Sequence, residues 1–551
     1  MRYTGVDTHR SFDPEHPGAV GHSLRRIIFD QSRSEFQRAV DLLALSKQCP
    51  ARSLTPQNLA QIFLALGNLA EHEPTVAHFL ADGEPRKELS RLISIGQRQR
   101  DGFEPRNIAE TLRGLAFLGR GDETFTHALL ARATGLVDDF EPADLVTTLG
   151  AVRIIPLDRV HFLEAANRVL RVADPDTQFN ELEVVLGALY LTDLQQVDSA
   201  HLFVDSAMRR LDTLESRHIG ILGAALTKLP EASDYYALSV ADELERRMAC
   251  EPEAVPAREV VQVVELLGRR GAYHKGFLEA FCREYANRLH QLSDDELCET
   301  ARGLALLGEA QPSFFRRLAD EALLRLEGLD PAHIAVIAWS FASLGIRNDT
   351  MFNRLAGAMQ GRYGEFSQAA AVNFAWSFAP LDNVVARSVI SQAARRFRSD
   401  ETEVLLARQL HIAEIAVGIV KPGQCSAEII DQAQAEIGAG VMNGFEQGVL
   451  ESLQRLKVLG VAVTPFQVVE GLVPDFVVSH GGRKIVVECD GTKFHLNSVG
   501  DLRGNDKIQD QVFRRCGYEV VHIRSDEWLG LSLAEREPYL AARLNLPIGR
   551  L

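Results

Sequence analysis

The chain has 551 residues, 46% of them hydrophobic, and a formal net charge of -16. This length exceeds one ordinary globular core, so we expect several domains or one elongated array. No apolar run approaches the roughly eighteen residues that a transmembrane helix needs, so the sequence predicts no membrane span. The acidic charge opposes binding of nucleic acid over the whole surface, and any such binding must use a local basic track.

Residues 1–50 predict a flexible polar leader followed by a first helix. The leader lacks the apolar core of a secretory signal, and its acidic residues argue against an organelle transit peptide. The seven cysteines are scattered and form no C-x-x-C pair, which indicates reduced thiols and no zinc site. We therefore expect a cytoplasmic protein. A bacterial protein delivered into a host cell fits the same observations, and an organelle protein fits them less well.

Residues 51–420 predict an array of helical-hairpin repeats with a period of 36–40 residues. An apolar helical phrase with a small central residue recurs, as in ETLRGLAFLG at 110–119 and ETARGLALLG at 299–308. The pentapeptide AWSFA stands at 338–342 and again at 375–379. Each unit has room for two helices of about fifteen residues. The central positions are Gly114, Gly150, Gly187, Gly223, Val263, Gly303, Ser340 and Ser377.

The small central residues predict close contact between the helices of neighbouring repeats, because glycine and serine let two backbones approach. Capping-type starts such as Thr55-Pro56 and Asp330-Pro331 precede the phrases and predict helix N-termini there. No single unit buries its apolar face, so stability comes from stacking repeats into a superhelix.

The repeat length and the AWSFA phrase resemble the octotricopeptide type of helical repeat and the repeats of the Fas-activated serine/threonine kinase family. The resemblance covers about residues 54–417. It implies that successive repeats bind single-stranded RNA. Many helical solenoids share the same pattern of small residues and leucines, so protein partners along the solenoid remain an alternative.

Residues 421–444 predict a linker, and residues 445–540 predict a small α/β domain. The fold class is thus mostly α, an α-solenoid followed by a small α/β domain. A helical pattern covers 445–459, and a second amphipathic helix covers 506–516 before the last strand. The predicted strands are Val461–Val469, Pro474–Ser479, Lys484–Cys489 and Tyr518–Ile523.

Three carboxylates near the strand ends are candidate metal ligands. Glu488 and Asp490 are two residues apart on one strand and therefore share a face. The hairpin signal at 480–482 brings Asp475 alongside them. Neighbouring carboxylates repel unless a divalent cation lies between them, an arrangement typical of phosphodiester hydrolysis assisted by Mg²⁺ or Mn²⁺. A structural alternative is that Asp475 caps a turn and Glu488 pairs with a basic residue.

Three further residues complete the candidate site. Lys493 and His495 follow the carboxylates directly and would orient water or stabilise the leaving oxygen. Glu446, on the preceding helix, is a further candidate metal ligand. The expected cofactor is Mg²⁺ or Mn²⁺.

The segments PDFVV, VVECDGTKFH, RCGYEVVHIR and DEW resemble the RAP domain, an RNA-binding module that often follows such arrays. That domain is similar to restriction-type P-D...(D/E)-x-K nucleases and to very-short-patch repair endonucleases. The resemblance covers about residues 470–530 and implies a restriction-endonuclease-like fold. It places Asp475, Glu488 and Asp490 on the nuclease acidic positions. It places His495 where the repair endonucleases have a histidine.

The sequence departs from both patterns. Asp490 stands where the nuclease signature has lysine, and Phe494-His495 reverses the usual RAP order. The basic run of the second helix is also thin. Its candidate nucleic-acid-binding residues are Arg503, Lys507, Arg514 and Arg515.

Three functions follow from these observations. The first is a metal-dependent RNA endonuclease, in which the repeats select a single-stranded target and the C-terminal domain cleaves it. The second is a non-catalytic factor that binds or stabilises RNA. The third is a protein-interaction solenoid with a degenerate nuclease fold.

Overall fold

The computed structural model describes residues 14–121, 124–230, 232–251, 253, 255–397, 404–419, 442–491 and 495–546. These residues are mostly helical, with one four-stranded sheet near the C-terminus, which confirms the predicted fold class. The chain divides into two compact units, Met1–Tyr236 and Ala237–Leu551. None of the described helices is both long and apolar enough to cross a bilayer.

The first unit consists of helices. Residues 14–50, for which the sequence predicts one helix after the leader, contain two. The helices are α1 (Pro17–Ile28), α2 (Glu35–Gln48), α3 (Pro56–His72), α4 (Pro74–Ala81), α5 (Gly83–Arg98), α6 (Pro105–Phe117), α7 (Thr124–Gly135), α8 (Pro142–Ile154), α9 (Val160–Leu170), α10 (Pro175–Gln178), α11 (Glu181–Asp193), α12 (Val197–Arg209) and α13 (Ser216–Lys228). The next helix, α14 (Asp234–Cys250), crosses the division between the units.

Most of the first unit is two rows of helices. The recurring phrase lies on α3, α6, α8, α11 and α13, each of which packs on the next, and we call these helices the first row. On the other side α5, α7 and α9 pack in order and form the second row. One helix of each repeat thus belongs to each row, which is the predicted helical-hairpin arrangement.

Glycines set the distance between first-row helices. A Cβ added at Gly114 would lie 2.2 Å from the carbonyl oxygen of Phe63 on α3. One added at Gly67 would lie 2.7 Å from the Cα of Gly114. Real Cβ atoms do not approach so closely, so only glycine allows this crossing. The predicted close packing at the small central residue is confirmed here.

The second unit continues the same pattern. Its first row is α15, α17, α19, α21 and α23, and α18, α20 and α22 pack in order on the other side. The described repeat helices are α15 (Ala257–Arg270), α16 (Lys275–Tyr285), α17 (Asp294–Leu307), α18 (Pro312–Arg325), α19 (Pro331–Ser343), α20 (Asp349–Met359), α21 (Gln368–Phe378), α22 (Val384–Arg396) and α23 (Val404–Ala416).

Helix starts follow the predicted capping signals. Thr55 accepts a hydrogen bond from the Asn58 N–H at the start of α3, and Asp330 accepts one from the His333 N–H at the start of α19. Ser293 and Glu296 form a reciprocal capping box on α17. These side chains satisfy backbone donors that have no partner within the helix.

A small α/β domain ends the second unit. The strands run in the order β1-β2-β3-β4, with β1–β2 and β2–β3 antiparallel and β3–β4 parallel. Most of the predicted linker lies outside the described residues. The elements are α24 (Gly444–Arg455), β1 (Ala462–Pro465), β2 (Phe476–His480), β3 (Arg483–Asp490), α25 (Gly504–Arg515), β4 (Glu519–Arg524), α26 (Ser525–Leu529) and α27 (Leu533–Arg543).

The sheet has one apolar face and one polar face. The β2–β3 turn uses Gly481 and Gly482, both with positive φ, as a two-residue hairpin requires. Alternation along β3 then sends Ile485 and Val487 into the core with α24 and α27. The opposite face carries Glu488 and the residues around it. The apolar core contains Val449, Leu453, Phe476, Val478, Ile485, Val487, Ile523, Trp528 and Leu540.

Candidate functional site

The polar face of the sheet holds the predicted carboxylates. Asp475 precedes β2 and lies beside Glu488 of β3. Its Oδ2 accepts a hydrogen bond of 2.6 Å from the Cys489 N–H, and its own N–H is 3.5 Å from Glu488 Oε2. The hairpin therefore places these two carboxyl groups next to each other.

Burial changes the ionisation of this pair. Burial raises the pKa of Asp475 to about 6, although the hydrogen bond from Cys489 opposes the change. Burial, with repulsion from Asp475, raises the pKa of Glu488 well above its ordinary value. Glu488 Oε1 is buried, and none of the described residues gives it a hydrogen bond. Two neighbouring carboxyl groups without a cation resist double ionisation, so this pair retains a proton as the pH approaches neutrality.

Asp490 has a different partner. It is 2% exposed, and its Oδ2 lies 2.9 Å from Nδ1 of His522 on β4. The other ring nitrogen of His522 lies 2.9 Å from Asp510 Oδ1 on α25, and Arg514 donates to Asp510 over 2.7 Å. Burial opposes the charge on His522, but hydrogen bonds with both carboxylates prevail and raise its pKa to about 10. We call Asp490, His522 and Asp510 the histidine triad.

The remaining predicted site residues are spread around this face. His495 Nδ1 lies 2.9 Å from Asp506 Oδ1, and this hydrogen bond raises the pKa of His495. Glu446 forms a capping box with Asn443 at the start of α24. Lys493 lies outside the described residues.

As arranged, these side chains do not fit a divalent cation. Asp490 is held by a protonated histidine, and Glu446 is engaged in its capping box. Across the described ranges, the His, Asp and Glu groups that bring three ligand atoms within 4.8 Å of one another reduce to Asp242, Glu245 and His274, far along the chain from this site. The role of Asp475, Glu488, Asp490 and Glu446 as ligands of Mg²⁺ or Mn²⁺ stays a prediction.

The predicted nucleic-acid-binding residues of α25 contact the repeats. Lys507 Nζ donates to the Gly345 carbonyl over 2.9 Å, and Arg515 Nε donates to the Ala416 carbonyl over 2.9 Å. The Arg503 guanidinium packs on Gly308, where an added Cβ would meet it. Arg514 instead pairs with Asp510 of the histidine triad.

These contacts lie at the C-terminal ends of first-row helices. Gly308, Gly345 and Gly418 follow α17, α19 and α23 and all have positive φ, the usual helix-ending conformation. Such ends expose carbonyl groups and the negative end of the helix dipole, which attract cations and amide donors.

The contacting residues of α25 are regularly spaced. Positions 503, 507 and 515 meet the ends of α17, α19 and α23, and Gln511 donates to the Pro380 carbonyl after α21 over 3.3 Å. Consecutive members of this set lie four residues apart, or about one helical turn. One side chain per turn thus meets one repeat. We call these four residues the docking stripe.

A second surface of interest lies on the first row of the first unit. Arg106, Arg113 and Phe117 lie three to seven residues apart on α6, and the Arg113 guanidinium is 5.7 Å from the Phe117 ring centre. The Arg153 guanidinium of α8 lies 5.0 Å from the Tyr190 ring centre of α11. Stacked guanidinium and aromatic groups are the side chains that bind single-stranded bases without regard to sequence. We call this surface the arginine–aromatic face; it consists of Arg25, Phe29, Arg106, Arg113, Phe117, Arg153 and Tyr190.

The sequence model of the family described as RNA-editing substrate-binding complex 8 protein matches residues 25–322, which is more than half of the chain. The chain belongs to the RNA-editing substrate-binding complex 8 family. In this family member the match runs from α1 into α18 and contains the whole arginine–aromatic face. It ends before the small domain, so the RAP and nuclease resemblance there stays a prediction. No curated protein matches the chain significantly.

The sequence analysis of this RNA-editing substrate-binding complex 8 family member missed three features. The repeat phrase drew attention to core positions, so the Arg113–Phe117 pair on the opposite side of α6 was overlooked, although its spacing of four residues is a helical signal. His522 alternates with core residues of β4 and could have been assigned to the polar face. Asp510 and Arg514 are also four residues apart.

Proposed function

We propose that this chain is a non-catalytic RNA-binding subunit that holds single-stranded RNA along the arginine–aromatic face. The observation that carries the proposal is the stacking of Arg113 on Phe117 and of Arg153 on Tyr190 across successive first-row helices. Such pairs present flat surfaces for bases and cations for phosphates. Because the net charge is -16, this local surface must provide the attraction that the whole molecule lacks.

The family match supports the same function. The printed family description names an RNA-editing substrate-binding complex, which suggests an RNA substrate and protein partners for this chain as well. The arrangement of the small domain favours the non-catalytic form over the endonuclease, because a protonated histidine takes the place at Asp490 that a cation would need. The docking stripe also turns three of the four predicted basic residues toward the repeats.

The test is an equilibrium binding assay with the full chain and a fluorescein-labelled, twelve-nucleotide single-stranded RNA. We expect binding that weakens as salt rises, and a loss of about tenfold in Arg113→Ala and in Tyr190→Ala, since one stacked base contributes about that factor. Arg524→Ala in the small domain is the control, because Arg524 is an exposed arginine that pairs only locally with Asp526 and Glu527.

The same mixtures, run on a gel with Mg²⁺, Mn²⁺ or chelator, address hydrolysis. We expect the RNA to stay intact in all three. Cleavage that requires the metal and disappears in Asp475→Asn and Glu488→Gln would establish the endonuclease instead. Absence of binding at low salt would overturn both RNA functions.

A further inference from the structure

A cavity opens at the start of the arginine–aromatic face, between α1, α3 and α6. Its volume is about 570 Å³, which lies within the range of small-molecule sites. Side chains from all three helices line it, among them Arg25, Phe29, Gln61, Asn68 and Glu110. A single nucleotide is of the size that such a space admits.

The cavity wall is rich in hydrogen-bond acceptors. Gln61 Oε1 and Asn68 Oδ1 are both buried, and no described residue donates to either of them. The Glu110 carboxylate is 18% exposed, and Arg106 Nε donates to one of its oxygens over 3.1 Å. Buried acceptors without donors are costly and uncommon in folded proteins. The wall therefore suits a ligand that brings N–H donors.

The mouth of the cavity has different chemistry. Phe29 is 76% exposed, which is unusual for a large aromatic ring, and the exposed Arg25 stands one helical turn before it on α1. An exposed ring beside a cation suits a base stacked against the ring, with its phosphate near the guanidinium.

We propose that this cavity takes one base of the bound RNA and selects guanine. The inference rests on the proposed RNA-binding function and adds base selection to it. The Watson–Crick edge of guanine presents two neighbouring donors, N1–H and the amino group, to the acceptors of the wall. Uracil presents one N–H between two carbonyl oxygens, and those oxygens would face Gln61, Asn68 and Glu110 unfavourably. Adenine and cytosine present an amino group beside an acceptor nitrogen and should lie between the two.

The experiment compares twelve-nucleotide RNAs on the full chain by fluorescence anisotropy. One RNA is all uridine, and the others carry a single central guanosine, inosine, adenosine or cytidine. We expect guanosine to bind about tenfold more tightly than uridine, and inosine, which lacks the amino group, to lose most of that gain. Gln61→Leu and Phe29→Ala should reduce the guanosine RNA to the level of the uridine RNA.

Val172→Ala is the matched control, because Val172 is an exposed apolar residue of the same unit outside the cavity. It should leave all five affinities unchanged. If the wild-type chain binds all five RNAs equally, or prefers adenosine or cytidine, guanine selection is wrong while the RNA-binding function stands. A guanosine preference that survives both cavity variants places selection elsewhere and also overturns the proposal. If no RNA binds, the proposed function itself fails.

Discussion

Replacing His522 by glutamine removes the cation of the histidine triad. In the wild-type chain His522 lies 2.9 Å from both Asp490 and Asp510, and the side chains of the three residues are 17%, 2% and 8% exposed. Removing one partner from such a buried charge pair costs about 3–5 kcal/mol, because the remaining charge is left without compensation. We expect the free energy of local unfolding of the small domain to fall by that order in His522→Gln.

The pH dependence gives the same prediction a second check. The folded-state pKa of His522, about 10, is above the ordinary value of 6.5. The stability that comes from its protonation is therefore fully present below about pH 6.5, and it is lost as the pH rises through 10. The wild-type domain should weaken over this interval, and His522→Gln should lack that part of the change.

The measurement is native-state hydrogen exchange read by mass spectrometry on peptides that cover β3 and β4. Faster exchange in these strands is expected for His522→Gln, and partial recovery is expected when Asp490→Asn is added, because the most buried charge is then removed. Arg524→Gln, an exposed change on the same strand, should have no effect. Unchanged exchange in His522→Gln at pH 7 would refute the argument that the triad is a charged and stabilising unit.

Two further predictions concern stability. Ionising Asp475 costs free energy because its pKa is raised to about 6, so its favourable contribution is present below about pH 3.8 and is lost as the pH rises through 6. Asp475→Asn should therefore stabilise the small domain by up to about 3 kcal/mol at pH 8 and by little at pH 3.5, measured by hydrogen exchange of β2 and β3. Gly114→Ala should lower the melting temperature by several degrees, because its methyl group would meet the Phe63 carbonyl at 2.2 Å. Gly135→Ala at the end of α7, where nothing lies within 4 Å, should leave the melting temperature nearly unchanged, and equal effects of the two substitutions would contradict the packing argument.

Periodic features of the chain were predictable from sequence. The repeat phrase located the first-row helices, because buried residues must recur with the helical period and close crossings need glycine, as at Gly114. The small domain followed from strand alternation and from the glycine pair at 481–482, which fixed the hairpin and hence the position of Asp475 beside Glu488. These signals are local in the chain.

Long-range pairings were not predictable from one sequence. The parallel register of β3 and β4, which sets Glu488 opposite His522, depends on the path of the crossover through α25. Without that register, Asp490 looked free to bind a metal. The docking stripe was hidden for a similar reason: lysine and arginine on an exposed helix suggest nucleic acid, and the carbonyl groups that they meet are backbone atoms with no signature in the sequence.

The docking stripe also bears on how this chain can change in evolution. Arrays of this kind commonly gain and lose whole repeats, since each repeat contacts only its neighbours. Between α17 and α23 that freedom is restricted, because α25 offers one side chain per turn and the four helix ends must arrive in matching order. Duplication or deletion of a repeat there would leave a cation without its carbonyl partner. We expect relatives to differ in repeat number before α17 and to keep the same number after it.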